Sequence, residues 1–268
     1  VFKEYEENLD IGIKELEGVV KVFFDNDGFP LSRNPSDLVF FSKYFIFCKE
    51  AIKDSQKYVP EFLEDIIEKN LNCIHHIKTP DNHLPLFNGA SSLNLNQVKN
   101  FLDNFKPENK KDYLGGLYRI KHKNHFLLLD IDGPPQKKFS KSYQSGPLSF
   151  EYFLDGIKII TNSGFGNHIS KKAEWISRLT ACQSTLTIND TSITKFEKNE
   201  MISKVFGNSI QDSFKSFDFF EKNENGIIGC SVSNNGYEKK FGCTHKREVY
   251  LDKENNYIKG TNHIIKAK

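Results

Sequence analysis

Apolar residues between Phe2 and Phe24 recur at the spacing of one helical face, including Ile11, Leu16, Val19, Val20 and Phe23. Asp25-Asn26-Asp27-Gly28-Phe29-Pro30 then interrupts the period with turn residues. Ser36 or Asp37 can accept from the free amides at the start of a second helix that runs to about Tyr58. Pro60 has a fixed φ and no N–H, which suits the first turn of a third helix ending near Ile77. Thr79-Pro80-Asp81-Asn82 breaks that helix, and Asn94 can cap a fourth, short one to about Asn104. Long helices joined by loops of Gly, Pro and Asn predict a helical hairpin array.

Beyond Pro107 the period shortens. Leu117 to Ile120 and Phe126 to Ile131 predict strands, and Asp132-Gly133-Pro134-Pro135 turns the chain. Leu148 to Leu154 and Ile157 to Thr161 flank Asp155-Gly156, the signal of a two-residue hairpin. Further strands are expected at Ser184 to Ile188, Ile227 to Ser233, Lys246 to Leu251 and Tyr257 to Thr261. Short strands with regular turns predict an antiparallel sandwich. The absence of strand–helix alternation argues against a doubly wound parallel sheet. Gly164-Phe165-Gly166 opens no helical pattern, so it does not read as a dinucleotide loop. The expected architecture is α+β and multidomain: helices over residues 1–106, then the sandwich over 107–268.

Composition narrows the function. A hydrophobic content of 38% with 24 Phe supplies a core. The net charge of +2, with no long basic block, argues against a nucleic-acid partner. Cys48, Cys73, Cys182, Cys230 and Cys243 have no Cys-x-x-Cys spacing. They read as isolated thiols rather than a zinc ribbon, with a Cys230–Cys243 pair across neighbouring strands left open. No apolar run approaches the ~20 residues of a membrane span, and no leader pattern is visible. The chain opens inside an expected helix and closes inside an expected strand, as a fragment of a longer protein would.

The candidate chemistry centres on three uncharged amides, Gln144, Asn162 and Gln183, at expected strand ends. Strand ends are where a rigid sheet presents polar groups to a ligand. Amide N–H groups can donate to a carboxylate; the alternative is an internally satisfied cluster with no ligand. Tyr143 and His168 are the proton-transfer candidates nearby. Strand alternation would turn Tyr143 away from Gln144, and the polar loop around His168 suits a surface histidine. His75 and His76 are adjacent on a helix and share no face. His245 opens a strand, from which it could reach a cleft or pair with an acid across the sheet. Arg178 either grips a substrate carboxylate or bridges to Glu151, because a buried acid requires a partner.

A set of motifs in a fixed order resembles the heparinase II/III-like family of polysaccharide lyases, alphaproteobacterial branch. They are Asp27-Gly28, Ser32-Arg33-Asn34-Pro35, Leu86-Phe87-Asn88-Gly89, Asp132-Gly133-Pro134-Pro135 and the run from Gly146 to Glu151. Asn162-Ser163-Gly164, the run from Arg178 to Thr185, Asn189-Asp190-Thr191, Asn235-Gly236-Tyr237 and His245-Lys246-Arg247 complete it. The resemblance implies the last helices of an (α/α) toroid joined to an antiparallel β-sandwich that is truncated at its C-terminus. It implies β-elimination on a uronate-containing or cell-envelope glycan, and a bacterial envelope or periplasmic setting.

The family pattern has a His-Ala-His-Ala-Asp type motif, an Asp before Gly and a later His, three of which hold a structural zinc in some members. Here Ser142 and Gln144 stand at the two histidines, Asn162 at the Asp and Gln183 at the last His, and Phe165 falls near a frequent Tyr. Amides are poor zinc ligands, so no metal or other cofactor is expected, and the amides are expected to bond one another. On this reading Tyr143, His168 and His245 are the catalytic candidates. Arg33, Asn88, Gln144, Asn162, Arg178 and Gln183 are the substrate-binding ones, with a poly- or oligosaccharide as partner. The alternative is a non-catalytic carbohydrate-binding or envelope protein that kept the fold and lost the histidines. A Tyr, His or Lys within reach of the amide corner separates the two.

Overall fold

The computed structural model of the protein describes residues 6–91, 95–107 and 111–267, so the Asn94 cap lies outside the described residues. The first part is helical: α1 (Glu6–Phe23), α2 (Pro35–Asp54), α3 (Glu61–Ile77) and α4 (Lys99–Asn104). α2 begins two or three residues earlier than expected because Asn34, not Ser36 or Asp37, is the cap: its side chain accepts from the Ser36 amide, with Pro35 in the first turn.

Nine strands follow among the described residues. β1 (Tyr113–Leu114), β2 (Leu117–His122), β3 (His125–Asp130), β4 (Phe150–Leu154) and β5 (Ile157–Ile160) form one antiparallel sheet in that order. β6 (Ser216–Glu224), β7 (Ile227–Asn234), β8 (Cys243–Asp252) and β9 (Tyr257–Lys266) form the second. Asp155 and Gly156 join β4 to β5 with positive φ at both positions, as a tight hairpin requires.

β3 explains the layering. Every residue in it is buried, because both faces of the strand are covered. Phe126 and Leu128 join Phe29, Leu38, Leu63 and Ile74 in the helical core. Leu127 and Leu129 join Tyr118, Cys230, Val232, Val249 and Leu251 between the sheets. The first sheet is therefore the middle of three layers, with helices on one face and the second sheet on the other. Asp130 continues the helix-facing row, and Glu151 shares it as the partner of Leu128.

The structure departs from the sequence reading at one expected strand and one unexpected strand, and it decides the cysteine pairing left open. Ser184 to Ile188 is no strand: after a 3-10 turn at Thr180–Cys182 its backbone is bonded by side chains, Asn162 accepting from the Ser184 amide and Arg247 donating to the Ser184 carbonyl. β6 was not expected, because Phe217-Asp218-Phe219-Phe220 defeats alternation; a bulge there, with Asp218 at φ 52°, resets the register. Cys230 lies opposite Val249 rather than Cys243, and both thiols are free.

Candidate functional site

The Ser32-Arg33-Asn34-Pro35 turn fastens the helices to the sandwich. Arg33 adopts a left-handed backbone (φ 59°) and is buried. Its guanidinium donates to Asp130 at 2.6 Å and to the carbonyls of Gly133 and Gly116 at 2.6 and 3.2 Å. Asn88 donates to the other Asp130 oxygen at 3.3 Å. Burial pushes the Asp130 carboxyl up, and Arg33 pulls it back down. Asn34 donates to the Ser142 hydroxyl at 3.3 Å, which ties the start of α2 to the loop before β4.

That loop carries Gln144, and the chain brings the amides together from three places. The Gln144 oxygen accepts from the Gly89 amide at 3.0 Å, while its nitrogen donates to the Gly164 and Ser177 carbonyls. Gln183 donates to the same Ser177 carbonyl at 2.8 Å. Asn162 accepts from the Ser184 amide at 2.9 Å, and its nitrogen has no partner among the described residues. Gln144 and Gln183 thus meet through a shared backbone carbonyl rather than bonding each other as expected. All three side chains are buried, in loops rather than at strand ends.

The remaining candidates scatter. Tyr143 is buried, its hydroxyl has no partner, and desolvation pushes its pKa up. His168 sits exposed in a 3-10 turn, Gly166–His168. His245 is buried against Asn262 at 2.9 Å, an amide where an acid was expected, and desolvation pulls its pKa down to about 4. Arg178 forms no bridge to Glu151. It donates to the Tyr143 and Ser140 carbonyls at 2.8 and 3.1 Å and stacks 3.9 Å from the Phe196 ring. Glu151 accepts instead from Thr161 and the Asn162 amide, with Lys158 4.0 Å away.

A cleft of about 660 Å³ opens where the start of α2 meets the loop before β4. Phe23, Phe40, Phe41, Phe139 and Phe165 supply its apolar wall, and Lys138 and Lys141 its cations. Asn34, Ser142 and Asn167 add polar groups, and Asp37 and Glu174 its carboxylates. None of the nine candidates read from the sequence lines this cleft, although several of their neighbours do: Ser32 and Asn34, Gly89, Ser142 and Asn167. The missed residues are the lysines and Phe40. The run Lys137-Lys138-Phe139-Ser140-Lys141, just before Ser142, was the available signal.

Among the described residues no group of three or more His, Cys, Asp or Glu could hold a metal ion. The amide corner does not fit zinc either. The Gln144 oxygen and both glutamine nitrogens are committed to backbone groups, and the Asn162 oxygen to Ser184.

Helices covering one face of a two-sheet antiparallel sandwich, with a cleft at their junction, define an α+β protein of the architecture the motif order implied. The chain belongs to the Heparinase II/III-like, C-terminal family, whose sequence profile matches residues 110–268. It is similar in structure to the heparan sulfate lyase HepC from Pedobacter heparinus, with a TM-score of 0.72 and 19% identity over 99% of this chain and 43% of that one. A heparinase III structure gives 0.74 and 15%, covering 98% and 44%. A second heparinase III gene product gives 0.76 and 17%, covering 100% and 43%. These likenesses show the fold, and the chain spans less than half the length of each neighbour. No curated protein matches. Among the described residues no helix is long and apolar enough to cross a membrane.

Proposed function

We propose that the chain is the cleft-forming part of a polysaccharide lyase that takes an acidic glycan at the helix–sandwich junction and cleaves it by β-elimination. The observation that carries this is the pairing of Lys138 and Lys141 with five phenylalanines on one cleft wall. Elimination from a uronate needs its C6 carboxylate neutralised, a base at C5 and an acid at the leaving O4. The ammonium groups of Lys138 and Lys141 suit the carboxylate, and the phenylalanine faces suit the apolar faces of sugar rings. The amide trio does not line the cleft: the Gln144 and Gln183 nitrogens bond inward to backbone carbonyls, and the Asn162 nitrogen is buried. A glycan polymer as substrate fits an envelope or periplasmic setting, and the amide corner fits a protein without structural zinc.

One observation favours a second reading, binding without cleavage: among the described residues neither His nor Tyr lines the cleft. One experiment separates the two. Full-length protein, shown by elemental analysis to hold no stoichiometric zinc, is mixed with a panel of acidic glycans, and the absorbance of the unsaturated uronate product is followed beside binding. Lys138→Ala/Lys141→Ala is expected to weaken binding by about tenfold. Binding with no product on any glycan selects the second reading. Binding that survives the double substitution unchanged, or is absent altogether, removes the cleft from both.

A further inference from the structure

A short helix, α5 (Lys171–Ser177), divides two concavities. Glu174 lines the junction cleft, and the next residue, Trp175, lines a separate groove of about 520 Å³. Trp175 is the only tryptophan in the chain. Its ring meets Phe196 at 6.1 Å and 75°, and Phe196 is backed in turn by the Arg178 guanidinium. That stack fixes the indole while leaving it half-buried, with Lys198 Nζ 5.3 Å from the ring centre.

The groove wall is basic. Lys195 and Lys198 are exposed on it, and Lys240 spends two of its three donors on the Ser192 and Ile193 carbonyls. The one acid among its described lining residues, Glu197, is occupied: it accepts from the Asn199 amide at 2.8 Å and from Gln211 at 3.3 Å. A fixed indole takes the C–H face of a sugar ring. An ammonium over an exposed aromatic face is held by only ~0.5–1 kcal/mol, so Lys198 can leave the ring to meet an anion.

We propose that this groove is a second saccharide site, distinct from the junction cleft, which takes an anionic sugar unit with its ring on Trp175 and its carboxylate or sulfate at Lys195 and Lys198. It shares with the cleft reading only the class of ligand, and it stands or falls separately.

Trp175 is the reporter, and a Trp175→Phe variant separates its signal from any other fluorescence of the full-length protein. Full-length protein is titrated with a uronic-acid hexasaccharide, a neutral glucose hexasaccharide and inorganic sulfate while tryptophan fluorescence is followed. A saturable change is expected with the uronic-acid hexasaccharide, with several-fold weaker binding of the neutral one and no matching response to sulfate. Lys195→Ala/Lys198→Ala, at exposed positions, is expected to raise the Kd by roughly fivefold. Lys138→Ala/Lys141→Ala in the cleft is expected to leave the titration intact. Three results overturn the proposal: no response to the acidic hexasaccharide, the same Kd in the Lys195/Lys198 variant, or loss of the signal in the cleft variant. A sulfate response equal to that of the hexasaccharide reduces the groove to a simple anion site and overturns it too. Product formation lost in the cleft variant while the fluorescence titration persists would confirm that the two sites are independent.

Discussion

His76 and His245 show how far a residue's role depends on what surrounds it. His245 belongs to a motif that invites a catalytic reading and His76 to a helix that does not, yet both are buried neutral. His76 Nε2 bonds the Leu117 carbonyl at 3.2 Å and His245 Nε2 bonds Asn262, so each ring is a donor there and each Nδ1 lacks a partner. Protonation would bury an unpaired charge, and desolvation accordingly pulls the two pKa values down to about 3 and about 4. The unfolded chain takes up these protons first, near pH 6.5. Stability is therefore complete above about pH 6.5 and is lost as pH falls toward the folded values, at up to ~1.4 kcal/mol per pH unit for each ring. Urea unfolding across that range should show this slope, and His76→Gln/His245→Gln should flatten it. An unchanged slope in the double variant would mean that these rings do not carry it.

At the scale of elements, the long periodic helices and the Asp155-Gly156 hairpin were legible because local chemistry determines them. β6 was not, since its bulge and its edge position remove the alternation that marks a strand. The cleft residues were missed for a related reason. The motifs identify Arg33, Asn88 and Gln144 as special, and they are, but as fasteners whose neighbours face the cleft. Gly89 shows the constraint: its φ is +102°, and a Cβ there would lie 2.5 Å from the Ser142 Cβ. Gly89→Ala should cost about 2 kcal/mol or more and loosen the Gly89–Gln144 bond. Chemical denaturation measures the cost, and a wild-type midpoint would show that the loops do not pack this closely.

Over the whole molecule, one buried cluster joins the layers. Arg33, from the turn before α2, holds Asp130 at the end of β3 and the carbonyls of Gly116 and Gly133. Arg33→Met would leave a buried carboxylate without its cation and should cost about 3–5 kcal/mol in denaturant unfolding. Adding Asp130→Leu should recover much of that loss; no recovery would mean that the backbone bonds, not the ion pair, hold the junction. The sequence by itself determined the helices, most of the strands, the sandwich and the family, because periodicity, turn residues and motif order are local properties of the chain. Only the tertiary structure decided which polar groups are spent and which are free. That Gln144, Gln183 and Arg178 turn inward to backbone carbonyls, while Lys138, Lys141 and Trp175 face open space, depends on contacts between segments far apart in sequence.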